Sequence, residues 1–396
     1  MFMMLLSLLF ATLSLAEPLE LTFRQSTACD SRPWRRDLAL PLHNELAYQR
    51  YTLDITVGTP PLPYSLTVDT ASSYLWVPLA NSSGCAPDPC PAGGFDPEDS
   101  STSIATGVPF DVSYGLEPGH TVLGQFYNDT VTVGGAVMPN MTIGACDVPP
   151  DIFGSGIWGL IGLGPPVSPD GQANDTIPPL WQSLYQHGYA SKQLFSLWLN
   201  RQSAETGSIL FGGIDETKFE GELKSLPVVT QGRDRVWSEW AVNLTSVAYV
   251  GADGTAVNLT GEGRNITTVL DSAAPNMYLP TEIYDDVAAR MNATIVQTFP
   301  YVSCELRNST KGLEFGFGFE SGGPRVRVPY GEVIYPFGDP ANIGEITDDE
   351  GRELCYLGLI GTPGPIFLLG ATFIRSVYLV FDYDEGKISM GSVKYD

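Results

Sequence analysis

Histidine is scarce in this 396-residue chain, with only His43, His120 and His187. None stands in an H-E-x-x-H pair and no G-x-S-x-G turn occurs, so the common zinc-peptidase and serine-hydrolase chemistries lack their residues. Basic residues are also few: 21 Lys and Arg against 45 Asp and Glu give a formal net charge of −24. That balance argues against nucleic acid and anionic membranes as partners, and it favours work in acid, where protonation relieves the self-repulsion. The six cysteines (Cys29, Cys85, Cys90, Cys146, Cys304 and Cys355) show no C-x-x-C spacing. No metal site is indicated, and disulfides in an oxidising compartment are the expectation. Glycine-rich stretches such as Gly316-Phe317-Gly318 read as strand or turn glycines rather than phosphate cradles, so no cofactor is expected. Long apolar runs are absent beyond Met1–Ala16, which is too short to span a membrane and ends Ser14-Leu15-Ala16. It predicts a signal peptide, residues 1–16, cleaved after Ala16. The polar end, Lys394-Tyr395-Asp396, predicts no lipid anchor or membrane stem.

What is present agrees with export. Nine Asn-X-Ser/Thr sequons, at Asn81, Asn128, Asn140, Asn174, Asn243, Asn258, Asn265, Asn292 and Asn308, suggest a glycosylated surface. The length suffices for two cores. Residues 17 to about 41 read as irregular and contain the dibasic pair Arg35-Arg36. From Tyr51 onward, short alternating runs such as Tyr51–Val57 and Gln125–Val133, set between Gly, Pro, Asn and Asp turns, predict an all-β chain. Helical patches are brief: Pro179–His187, Thr281–Asn292 and Asp348–Leu354. A polar, charged stretch near Gly212–Val236 suggests the join between two halves.

Two matching sentences sit half a chain apart. Tyr64-Ser-Leu-Thr-Val-Asp69-Thr70-Ala71-Ser72-Ser73 leads into Tyr74-Leu-Trp76-Val-Pro78, and Thr267-Thr-Val-Leu-Asp271-Ser272-Ala273-Ala274 leads into Pro275-Asn-Met-Tyr-Leu-Pro280. Each is an apolar strand that delivers a carboxylate into a turn of small and hydroxyl residues. A lone Asp at a strand end is ordinarily a turn former. Here each is followed by an apolar-apolar-Gly step, Leu160-Ile161-Gly162 and Leu368-Leu369-Gly370, which argues for an internal duplication. Two such units suggest two carboxylates brought face to face, an arrangement suited to acid–base chemistry.

The ordered landmarks from about Tyr51 to the C-terminus resemble the pepsin-like aspartic proteases, particularly the secreted fungal branch. They are Gly58-Thr-Pro-Pro61, the Asp69 motif with Leu75-Trp76-Val77-Pro78, Val112-Ser113-Tyr114-Gly115, Phe195-Ser196-Leu197, Ile209–Asp215, Asp271-Ser272 and Leu369–Asp382. The resemblance implies a bilobal all-β fold, with one lobe over residues 41–215, a second over 216–396, and residues 17–40 as a short pro-segment or extension. It implies a secreted (alternatively vacuolar), monomeric endopeptidase acting on an extended polypeptide in acid. Asp69 and Asp271 would be catalytic. Thr70 and Ser272 would lock the two turns together, Ser72 would bond the outer oxygen of Asp69, and Tyr114 and Gly115 would belong to a flap, with the Tyr114 hydroxyl near Trp76. By the same resemblance Cys85 pairs with Cys90 and Cys304 with Cys355; Cys29 and Cys146 are left to pair by arithmetic.

Two departures bear on activity. The family's Asp-Thr/Ser-Gly motif reads Asp-Thr-Ala and Asp-Ser-Ala here, at Ala71 and Ala273. Alanine keeps the backbone N–H as a donor to each carboxylate but adds a methyl that could tilt the pair. Ala274 occupies a position where the family often has a hydroxyl, so Asp271 is expected to lose a hydrogen bond and the pair to titrate higher. The competing reading is a pepsin-like scaffold that binds polypeptide with feeble or no catalysis.

Overall fold

The computed structural model describes residues 37–85, 90, 93–114, 121–169, 176–230, 239–261, 263–318, 322–336, 346–364 and 366–396. The leader, Cys29, Arg35-Arg36, Gly115, His120 and Asn174 lie outside them.

Alternation becomes strand nearly everywhere it was expected. The runs at Tyr51 and Gln125 form strands Arg50–Val57 and Thr121–Val133. Among the described residues the strands assemble into a 13-stranded sheet, an eight-stranded sheet and a four-stranded sheet, an all-β pepsin-like fold. The chain's last strands, Val377–Asp382 and Lys387–Val393, return to the large sheet beside Leu194–Trp198 and Phe219–Pro227. Sequence from both ends of the chain therefore shares one sheet, and Phe195, Trp240 and Phe381 pack ring against ring where it meets the core.

Three expectations are corrected. Leu38–Glu45, whose first residues fall in the segment to about Pro41 that reads as irregular, is a strand. Its Pro41 faces Ser208 on one neighbour only, because the other neighbour pairs from His43 onward, so the missing N–H costs no ladder bond. Phe219–Pro227, inside the presumed join, is also a strand. The helix expected at Asp348–Leu354 is instead a hairpin between Ile346–Thr347 and Glu353–Tyr356. The Asp348 carboxylate accepts from the Glu350 and Arg352 amides and from Arg352 Nε, and Gly351 takes φ +78°, which fixes a turn that no helix could continue. The other two patches are helices, Leu180–Gln186 and Thr281–Arg290.

Cys85–Cys90 and Cys304–Cys355 are disulfides. Cys146 is buried and unbonded among the described residues. Of the eight sequon asparagines described, none is buried.

Candidate active site

Asp69 ends, and Asp271 directly follows, a strand whose last three residues are buried. Leu62–Asp69 runs parallel to Leu160–Gly162, which lies antiparallel to Leu75–Pro78. Ile266–Leu270 runs parallel to Leu368–Leu369, which lies antiparallel to Met277–Pro280. The same three-strand knot is thus built twice, and in both the chain leaves the first strand through a tight turn to reach the third. The apolar-apolar-Gly steps pass directly beneath those turns. A side chain on Gly162 would strike the Ser73–Tyr74 backbone, and one on Gly370 would strike the carbonyls of Ala274 and Asn276. Only glycine lets the backbones approach this closely.

Hydroxyls lock the turns to each other. Thr70 Oγ1 donates to the Leu270 carbonyl (2.6 Å) and accepts from Ser272 N (3.0 Å). Ser272 Oγ donates to the Val68 carbonyl (2.7 Å) and accepts from Thr70 N (3.1 Å). Both side chains are fully buried, so each bond shields groups that would otherwise be orphaned in the core. This reciprocal set holds Asp69 and Asp271 at adjoining positions from opposite halves of the sequence.

The carboxylates meet their donors differently. Asp69 Oδ1 accepts from Ala71 N (2.8 Å), and Oδ2 accepts from Ser72 Oγ (2.8 Å). Asp271 receives two backbone amides, Ala273 N and Ala274 N (2.9 Å each), both on Oδ1. Each alanine that stands where the family motif has glycine therefore keeps its donor. Burial is the main force on both groups, raising the Asp69 carboxyl above its ordinary range and pushing Asp271, with the added repulsion of Asp69, up to about 7. The amide and hydroxyl donors, together with the guanidinium of Arg50, pull the other way.

Tyr114 follows the strand Ile104–Ser113, and its hydroxyl accepts from Trp76 Nε1 (2.7 Å). Burial and the nearby Asp69 hold its phenol protonated far above neutrality. Trp76 is itself fully buried, on the strand that leaves the Asp69 turn. Gly115 lies outside the described residues.

Several supports went unnoticed in the sequence. Trp181 and Trp240 both donate their indole N–H to the Leu163 carbonyl, at 3.1 and 2.8 Å, bracing the strand beneath Asp69. Tyr335 donates to the Pro275 carbonyl (2.7 Å), bracing the second turn. Arg50 reaches across to the Ala273 carbonyl, with Nη1 at 2.5 Å. No local pattern marks these residues, since their partners are remote in sequence.

A β-rich fold built from a repeated knot, with two carboxylates at the paired turns, defines an acid-protease architecture. The chain belongs to the eukaryotic aspartyl protease family, whose model matches residues 50–393. It is 30% identical to a probable aspartic-type endopeptidase, opsB, of Aspergillus oryzae, over 87% of this chain and 69% of that one. It is 32% identical to a probable aspartic-type endopeptidase, OPSB, of Trichophyton verrucosum, with 87% and 69% covered. It is 31% identical to secreted aspartic protease 1 of Candida albicans, with 93% and 87% covered.

Proposed function

We propose that the protein is a secreted aspartic endopeptidase that cleaves an extended polypeptide between two lobes, residues 41–215 and 216–396, as a monomer. The observation that carries this reading is the interlocked pair of turns, which holds two buried carboxyls, each with two donors that differ in kind and placement. Two such groups share one proton over a wide range and titrate as a unit. The donors on both oxygens of Asp69 favour charge there, while the apparent pKa values belong to the pair. The ionised partner accepts a proton from a water attacking the peptide carbonyl, while the protonated partner donates to the carbonyl oxygen. The product of that step is a tetrahedral diol that needs no covalent bond to the enzyme. Thr70 and Ser272 act as positioning residues, and Tyr114, held by Trp76, begins the segment that would cover the substrate.

The high titration of Asp271 implies activity in weak acid, failing as the shared proton is lost toward pH 7. The leader-like start, the non-buried sequons and the secreted Candida relative support export. The test is incubation of the secreted protein with denatured casein or haemoglobin across acid pH, with and without pepstatin. Pepstatin-sensitive cleavage is expected; its absence at every pH in correctly processed protein would leave polypeptide binding as the function.

A further inference from the structure

Among the few cations of this acidic chain, one stands beside the paired aspartates. Arg50 opens the strand Arg50–Val57 and follows Gln49, whose backbone takes φ +55° and whose side chain donates to the Leu46 carbonyl at 2.5 Å. From there its half-buried side chain spans to Ser155, where Nε donates to the carbonyl at 3.1 Å, and to Ala273, where Nη1 donates to the carbonyl at 2.5 Å. Ala273 is the residue whose own N–H holds Asp271. The guanidinium thus bridges from the half carrying Asp69 to the turn carrying Asp271.

We infer that Arg50 is a specificity-determining residue that binds a carboxylate of the polypeptide substrate, selecting Glu or Asp close to the scissile bond on the side lined by Ala273. The inference rests on the endopeptidase reading above. Both acceptors bonded to Arg50 are neutral carbonyls, so its charge has no hydrogen-bonded counter-charge among the described residues. Asp271 and Asp69 lie near enough to act on it electrostatically, with Tyr278 and Tyr335 the other titratable groups facing it. The dyad carries only one charge in its working state, and that charge is committed to the water. Nη2 of the guanidinium donates to no described residue, which leaves one arm of the fork without a protein acceptor among them. When a polypeptide covers the site, water leaves the guanidinium, and a carboxylate side chain replaces it with a charge-assisted bond. A neutral amide of the same shape replaces it less well, and a lysine meets repulsion. The bland alternative is that Arg50 only clasps the Ala273 turn, in which case it would affect all substrates alike.

The experiment compares kcat/KM for a peptide series with a fixed cleavable core, placing Glu, Gln or Lys in turn at each flanking position, at about pH 5 where a glutamate is ionised. At one position the unmodified protein should prefer Glu over Gln about tenfold, the scale of a charge-assisted hydrogen bond, with Lys poorest. The preference should fade below about pH 4 as the peptide's glutamate takes up its proton. Arg50→Gln should bring the Glu-to-Gln ratio to about one, and Arg50→Lys should keep part of it; because a ratio is read within each protein, a general loss of activity cancels. A ratio near one at every position in the unmodified protein, or one unchanged in Arg50→Gln, overturns the inference. If Arg50→Gln does not fold, the unmodified protein's ratio and its pH dependence decide. Failure to cleave even the neutral peptides would instead overturn the endopeptidase reading.

Discussion

Asp69 and Asp271 end equivalent strands above equivalent glycines, yet their turns hold the carboxylates differently. The Asp69 turn offers one backbone donor and one hydroxyl, spread over both oxygens. The Asp271 turn offers two backbone donors to a single oxygen and, with Ala274, no hydroxyl. Fold symmetry places the groups, and small departures from it change how each carboxyl is bonded. A duplicated scaffold can thus make two chemically identical residues unlike by moving one donor.

The largest expected effect breaks the pair itself. Asp69→Asn and Asp271→Asn should each lower kcat/KM by about a thousandfold or more, because neither partner alone supplies both acid and base. Next is the lock between turns: Thr70→Val strips the Leu270 carbonyl of its donor and the Ser272 amide of its acceptor, both in the core. It should cost about 2–4 kcal/mol in urea unfolding, with Ser272→Ala similar and the two far from additive.

A stability comparison separates the carboxyls further. Asp271 binds its proton more tightly folded than unfolded, so its contribution is complete below the unfolded value of about 4 and is lost as pH rises through about 7. Asp271→Asn cannot ionise and should escape that loss. Its melting temperature relative to the unmodified protein should therefore climb between those pH values; a constant difference would show that Asp271 titrates normally.

The smallest effects sharpen the asymmetry. Ser72→Ala removes a donor to ionised Asp69 and should raise the acid limb of the pH–rate profile by about one unit or less. Ala274→Thr, restoring a hydroxyl near Asp271, should lower the upper limb by less than a unit, about what one exposed donor provides.

Much of this was legible before the structure because the governing patterns are local. Strand alternation, each aspartate sentence and each glycine step can be read within a few residues. Asp348 misled because a carboxylate that caps its own turn looks, in sequence, like one that starts a helix. Leu38–Glu45 was hidden by Pro41, whose tolerance depends on which neighbour pairs opposite it. Arg50, Tyr335 and the indoles of Trp181 and Trp240 carry no local mark, since each acts on a residue far along the chain. Ala71 and Ala273 keep the amide bonds to the aspartates that the sequence leaves open to them.

The central claim is that Asp69 and Asp271 share a single proton up to near neutrality. The most direct test is the pH dependence of kcat/KM for a neutral peptide with the purified, unmodified protein. The account predicts a bell whose upper limb falls near pH 7, where the pair gives up its shared proton. Activity that collapses with an apparent pKa in the ordinary carboxylate range, or persists undiminished well above neutrality, would contradict it.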